Sequence, residues 1–439
     1  MPGRSRPASW HAVLVGNMAA RIGALGCVFA ATLLLAHDGG AAVVGIYALF
    51  HVLPGLVGTL ASCGLPVATP YFLAGPDRDD PRLRPTLIAI AAGGSLLGAA
   101  VWVLAAPLVG PVVFTDLSLG LVMLAAFSVP TRLAVITAKA CSQGTDDLAG
   151  SNAIIFLEQL MFLPTFAVLS AIGLSPMQGV VVGLMLADVL TGSMSWSRLS
   201  RRGFFRGQRG WSRPLAQRIA VFGTRGQVGG VMSLLNLRLD FVLLSAFAGP
   251  AVLGVYAVAS KFAELVRVFG MALQYVLYPK YANDGTRAMS EARSLMVRVG
   301  LLSTITIVPL WITCGYVIPG FYGSAFNAAV MPTRIILLGL VLDGVGGVIT
   351  AVFYGVGRPG LNSLAMGAGL AVTVVLDVLL IPRFAETGAA VASALAYTTT
   401  GLVLIGFFWS LERSLRPAKE PREPDDSAPE FPQMASSRT

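Results

Sequence analysis

Apolar residues run along this chain in long stretches, parted by short polar or Gly/Pro-marked breaks. Reading between the breaks gives twelve candidate spans, at about residues 11–36, 41–73, 86–106, 110–138, 152–172, 177–196, 219–247, 251–279, 296–318, 331–356, 361–381 and 387–410. Crossing the roughly 30 Å hydrocarbon core of a bilayer takes about 20 helical residues. The second, fourth, seventh and eighth stretches exceed that length, and tilt or kinks at Pro54, Pro66 and Pro130 absorb the surplus. The pattern predicts an all-α polytopic membrane protein of about 12 transmembrane helices.

Composition removes the soluble alternatives. Of 439 residues, 55% are hydrophobic, 12% are charged and 49 are glycine, and mean hydropathy is +0.74. Too little polar sequence remains to coat a water-facing surface, which excludes a soluble globular enzyme. Cys27, Cys63, Cys141 and Cys314 lie far apart with no C-x-x-C pair and read as core residues. His11, His37 and His51 form no H-E-x-x-H motif, and Lys139, Lys261, Lys280 and Lys419 stand in no phosphate-binding P-loop. The chain is therefore expected to be no enzyme, to carry no cofactor and not to hydrolyse ATP.

The net charge of +9 is one-sided. With residue 1 on the cytoplasmic side, nearly all loop arginines and lysines fall on that side and only Arg383 lies opposite, as the positive-inside rule requires. Both termini are thus expected to be cytoplasmic. The first apolar run is read as a retained helix, because it exceeds a secretory h-region and no small-x-small site follows at Ala36-His37-Asp38.

The longest basic loop interleaves Arg198, Arg201, Arg202, Arg206, Arg209 and Arg213 with Phe204, Phe205 and Trp211. Such a pattern can read single-stranded nucleic acid. Beside a membrane it is instead expected to lie on anionic lipid headgroups, with no nucleic-acid partner. It divides the chain into a bundle over residues 1–196, a linker over 197–218 and a second bundle over 219–415, with a disordered Pro- and charge-rich tail over 416–439. Between the halves, Gly45-Ile46-Tyr47-Ala48 recurs as Gly254-Val255-Tyr256-Ala257, and Pro70 recurs as Pro279 at the same offset of 209. Six spans per half then relate the bundles by a pseudo-twofold along the membrane normal.

Charges inside spans cost on the order of 2.5–3.5 kcal/mol each, so they face a bundle interior or wet cavity. Lys261, Glu264 and Arg267 recur every three residues along one side of the eighth span. They are either a structural ion-pair ladder or contacts for a substrate or ion. Arg21, Asp188, Arg238, Asp240 and Asp343 carry the same two readings. Arg132, Glu158 and Arg225 lie near a basic end and read as snorkelling residues, and Asp377 reads as a cap or interface residue.

The stretch from Asn236 through Asp240 to Leu244, followed by Gly254-Val255-Tyr256-Ala257 and Ser260-Lys261-Phe262, resembles the polysaccharide repeat-unit (O-antigen/exopolysaccharide) flippases of the multidrug/oligosaccharidyl-lipid/polysaccharide exporter superfamily. Tyr354-Gly355-Val356-Gly357-Arg358-Pro359, leading into Asn362, is similar to their glycine-rich inner loop. The resemblance implies movement of an undecaprenyl-pyrophosphate-linked oligosaccharide from the inner to the outer leaflet of a bacterial cytoplasmic membrane, by alternating access. It makes Arg21, Arg225, Arg238, Lys261 and Arg267 substrate-binding candidates, since Arg and Lys suit phosphate as fork and point charge. Asp188, Asp240, Glu264 and Asp343 become candidates for coupling to H+ or Na+. Implied partners are the lipid-linked substrate, membrane lipids and polysaccharide polymerase or export machinery.

Twelve spans depart from the lipid II branch, which typically has about fourteen. The multidrug branch also has twelve, so a multidrug/cation antiporter is the alternative; the basic residues in the first and eighth spans favour the flippase. A glycosyltransferase or polymerase would need acids or His in a large outer loop, and residues 316–332 contain none. A scaffold acting through the basic loop or tail is the remaining reading.

Overall fold

The computed structural model describes residues 10–281 and 285–415, and the expected tail over 416–439 lies outside them. The helices are α1 (Trp10–Ala61), α2 (Leu65–Ala74), α3 (Leu83–Val113), α4 (Leu119–Leu124), α5 (Ser128–Gly144), α6 (Leu148–Leu160), α7 (Phe162–Ala171), α8 (Pro176–Arg201), α9 (Arg213–Ala248), α10 (Pro250–Tyr281), α11 (Gly285–Tyr322), α12 (Val330–Gly339), α13 (Asp343–Gly355) and α14 (Pro359–Leu415). Among the described residues, nine helical stretches are long and apolar enough to cross a membrane. Three of these join neighbours end to end: α4 with α5, α6 with α7, and α12 with α13.

Two helices are too long for one crossing. Straight, the 52 residues of α1 would reach about 78 Å, more than twice a bilayer core. The backbone leaves helical geometry at Gly40 (φ 72°) within α1 and at Ala385 (φ 47°) within the 57-residue α14. The expected kink sites behave differently from one another. Pro54 sits inside α1, whereas Pro66 opens the new helix α2 after a left-handed turn at Cys63 and Gly64. Pro130 falls in the first turn of α5, after a short 3-10 turn.

Helix α3 shows how the surface is turned. Its exposed stripe is Leu97, Val101, Leu104 and Leu108, with Leu104 76% and Leu108 78% exposed. Its buried stripe is Gly94, Gly98, Trp102 and Ala106. A water-soluble helix reverses this arrangement. Glycine and alanine inside, with Trp102 bonded through Nε1 to Val122 O, and large aliphatics outside are what lipid as solvent requires.

The main apolar cluster spans the first and second parts of the chain, with Tyr47, Phe50 and Phe162 on one side and Tyr256, Phe326 and Tyr397 on the other. A second cluster lies within α10, α11, α13 and α14. A third ties α2, α3 and α5 to the basic loop. That loop is a fastened strap: α8 continues to Arg201 and α9 starts at Arg213. Phe204 is buried at 3% exposure, with the Arg84 guanidinium 5.1 Å from its ring centre. Arg209 N donates to Pro81 O at 3.0 Å, and Ser212 N to Thr86 Oγ1 at 3.0 Å.

Candidate functional site

Helix α10 presents Lys261, Glu264 and Arg267 on one face, because residues three apart are neighbours on a helix. Glu264 accepts from Arg238 Nη2 of α9 at 2.5 Å and from Lys261 Nζ at 3.0 Å. Arg267 Nε lies 3.5 Å from Asp343 Oδ1 at the start of α13. The Arg238 and Arg267 guanidinium groups stand 5.0 and 5.1 Å from the ring centres of Phe241 and Tyr397. The ladder reading is thus realised in part, since the charges pair. Yet Nη1 of Arg267 is buried without a partner, a donor that a ligand would satisfy at a gain.

Arg238, Glu264, Arg267, Asp343 and Tyr397 form one wall of a cavity of about 610 Å³. The facing wall comes from α1, with Arg21, Ala24 and Val28, and from α6, with Ile155 and Gln159. Its floor reaches Tyr354 and Asn362, either side of the Gly357–Arg358 turn at the basic end of the bundle. Arg21, Arg238 and Arg267 line it against Glu264 and Asp343, and Lys261 stands behind Glu264, so positive charge is in excess. Arg21 Nε donates to Asn17 Oδ1 at 2.9 Å and has no carboxylate partner among the described residues.

The opposite end is sealed. Gly45 of α1 and Gly254 of α10 cross so closely that a Cβ on either would collide with a backbone carbonyl of the other helix, that of Pro250 or of Ala41. Thr32 and Tyr322 share a buried hydrogen bond of 2.9 Å between α1 and α11. Phe29 and Phe326 pack against Tyr322 at ring-centre distances of 5.7 and 5.5 Å.

Asp240 does not line this cavity. It accepts from Tyr256 Oη at 2.5 Å, Ser393 Oγ at 3.2 Å and Phe241 N at 2.9 Å. One turn earlier, Thr373 Oγ1 of α14 donates to Asn236 Oδ1 of α9 at 2.7 Å. One turn later α14 carries Asp377, fully buried, with neither carboxyl oxygen bonded. The bond between Thr373 and Asn236 sets this part of α14 beside the part of α9 that carries Asp240. One carboxylate held by neutral hydrogen-bond donors and a second with none, both buried, call for a proton or a cation. Asp377 departs from its reading as a cap. The signal was in the sequence: Asn236 with Asp240, and Thr373 with Asp377, are polar pairs at i, i+4 in helices that run the same way.

Helices α5, α6 and α8 hold a second network. Arg132 Nη2 meets Glu158 Oε1 at 2.5 Å and its Nη1 meets Asp188 Oδ1 at 3.1 Å, while Lys139 Nζ is 3.9 Å from Glu158. Their side-chain exposures of 14%, 8% and 9% for Arg132, Glu158 and Asp188 show that Arg132 and Glu158 pair internally and do not snorkel. Asp188 is thereby matched by a fixed cation. Arg225 is exposed on α9 and does not line the cavity. Of the substrate candidates, the fold brings Arg21, Arg238 and Arg267 together, with Lys261 directly behind.

A 203-residue stretch is 25% identical to an uncharacterized membrane protein of Methanocaldococcus jannaschii, covering 45% of this chain and 40% of that protein, so the match spans less than half of that relative's length. The structure is similar to that of the lipid II flippase MurJ in an inward closed conformation, at TM-score 0.69 and 14% identity over 91% of this chain and 90% of that one. It is also similar to an inward-facing multidrug resistance MATE family transporter of the MOP superfamily, at TM-score 0.68 and 13% identity over 95% and 97%. Identities this low speak for the fold, an all-α polytopic membrane architecture. Residues 44–331 match the model of a family described as polysaccharide biosynthesis protein. This chain is therefore a multi-pass membrane protein that belongs to the polysaccharide biosynthesis protein family, in keeping with its resemblance to the polysaccharide flippases.

Proposed function

We propose that the protein flips an undecaprenyl-pyrophosphate-linked oligosaccharide from the inner to the outer leaflet of the bacterial cytoplasmic membrane, with the basic end and both termini in the cytoplasm. The observation that carries this reading is the cavity of about 610 Å³ in which Arg21, Arg238 and Arg267 outnumber Glu264 and Asp343. A pyrophosphate cannot cross hydrocarbon unaided, and a wet cavity with fixed guanidinium forks offers it bidentate partners. A cavity for lipophilic cations would carry the opposite excess, which disfavours the multidrug antiporter. In this reading the substrate enters from the basic end, the polyprenyl tail stays in lipid, and opening of the Gly45–Gly254 crossing releases it on the other side.

Coupling to H+ or Na+ would act at Asp240 together with Asp377. Asp188, Glu264 and Asp343 are each matched by an arginine. Asp240 sits two residues beyond Arg238 on α9. A proton or cation held between α9 and α14 would therefore set the position of the helix that carries a cavity arginine.

The test is a deletion strain with labelled lipid-linked saccharides, probed by a membrane-impermeant glycosidase. Accumulation on the cytoplasmic leaflet, reversed by re-expression, is expected. Unchanged outer-leaflet saccharide with new sensitivity to lipophilic cations would overturn the proposal in favour of the antiporter.

A further inference from the structure

A groove of about 710 Å³ opens on the surface between α6 and α8, at the basic end. Its walls are Ala153, Ile154, Leu157 and Met194 with Ser193, Ser195 and Ser197 among them, and its end is formed by Arg198, Arg201 and Arg202. It shares no lining residue with the central cavity. Helix α6 turns Ile155 and Gln159 toward the cavity, and Ile154 and Leu157 toward the groove.

The charge at its end is organised by one carboxylate. Asp147, 3% exposed, accepts from Arg198 at 2.7 and 2.9 Å and from Arg202 at 3.1 Å, and caps α6 through Gly150 N at 3.0 Å. A Cβ on Gly150 would stand 2.8 Å from Arg198 Nε, so glycine is what lets that guanidinium lie across the first turn of α6. One carboxylate thus serves two arginines, and Arg201 has no ion-pair partner among the described residues. A net-positive mouth thus opens onto a mainly apolar trough.

We propose that this groove binds one anionic phospholipid of the surrounding bilayer, its phosphate on Arg201 and Arg202 and an acyl chain along Ile154, Leu157 and Met194. Basic pockets between membrane helices on the side of the anionic leaflet have the chemistry to hold such headgroups. A zwitterionic lipid presents an ammonium that the arginines repel. The site is independent of the flippase reading. It buttresses the lipid side of α6, whose other side is a wall of the cavity.

The test is native mass spectrometry of the purified full-length chain released from mixed micelles of phosphatidylglycerol and phosphatidylcholine. The expected result is retention of one phosphatidylglycerol per chain in preference to phosphatidylcholine. Arg201→Gln should weaken that retention about fivefold, the loss of one lipid-facing charge. Met194→Trp, which fills the trough without touching Asp147, should weaken it as well. A melting temperature in phosphatidylcholine equal to the parent's shows that each variant is folded. Equal retention of the two lipids, unchanged retention in both variants, or displacement of the lipid by an excess of inorganic phosphate would each overturn the proposal.

Discussion

Gly45 and Gly254 meet where α1 crosses α10, and each stands against the carbonyl that lies four residues before the other: a Cβ on Gly45 would strike Pro250 O, and one on Gly254 would strike Ala41 O. The contact is reciprocal, as a local twofold requires. Both residues belong to the Gly-aliphatic-Tyr-Ala repeat, so the repeated motif packs against its own copy and closes one end of the cavity.

Gly45→Val is expected to force this crossing apart. Overpacking of this kind costs about 1–3 kcal/mol. The measurement is the melting temperature in detergent, together with thiol labelling of Cys introduced by Ala48→Cys, a position now 6% exposed. A lower melting temperature and faster labelling are the expected outcomes. Parent values for both would mean that the crossing is not a seal.

Arg21 and Arg132 should behave oppositely. Arg21 bonds only Asn17 among the described residues and lines the cavity, so Arg21→Gln is expected to reduce flipping while leaving stability within about 0.5 kcal/mol. Arg132→Gln strips Glu158 and Asp188 of their shared cation. Its expected cost is about 3–5 kcal/mol, that of leaving buried charge unpaired. Thermal unfolding beside leaflet-resolved saccharide labelling separates the two effects.

Asp377→Asn is expected to abolish dependence of transport on the ion gradient while leaving binding of the lipid-linked substrate within about twofold, since Asp377 does not line the cavity. Gradient-driven uptake into vesicles, measured beside equilibrium binding, checks this. Gradient-dependent transport at the parent rate would remove Asp377 and Asp240 from the coupling role.

Asp147 offers a pH signature outside the spans. The hydrogen bond from Arg198, aided by Gly150 N–H and by the charges of Arg198 and Arg202, holds its carboxyl below the usual value against the opposing effect of burial. A depressed folded value stabilises the protein above the unfolded aspartate value of about 3.9, and that contribution disappears as pH falls through the folded value. Asp147→Asn, which keeps an oxygen for Gly150 N–H, should therefore lower the melting temperature at pH 7. The difference should shrink below about pH 4. A gap that stays constant from neutral to acid pH would contradict the charge-based account.

The apolar stretches of the sequence carried the existence of membrane-length helices, but not their bounds, since α4 opens at Leu119 against an expected 110 and α11 at Gly285 against 296, and the contact between the two copies of the repeat emerged only in the fold. Hydropathy is a local property, and a membrane helix must satisfy its own backbone wherever it lies, so its existence is legible without knowing its neighbours. Pairing is different. Lys261, Glu264 and Arg267 read equally as ladder or ligand contacts until α9 brought Arg238 onto Glu264 and α13 brought Asp343 onto Arg267. Arg132 and Glu158 read as snorkelling until Asp188 of α8 completed a buried triad. Asp377, near the end of its span by count, proved to be buried beside Asp240, because α9 and α14 run side by side in register at Asn236 and Thr373. Partners more than a hundred residues apart are chosen by which helix faces meet. That choice is made by the packing of the whole bundle: spacing along one helix marks which polar positions share a face, but not which face they meet.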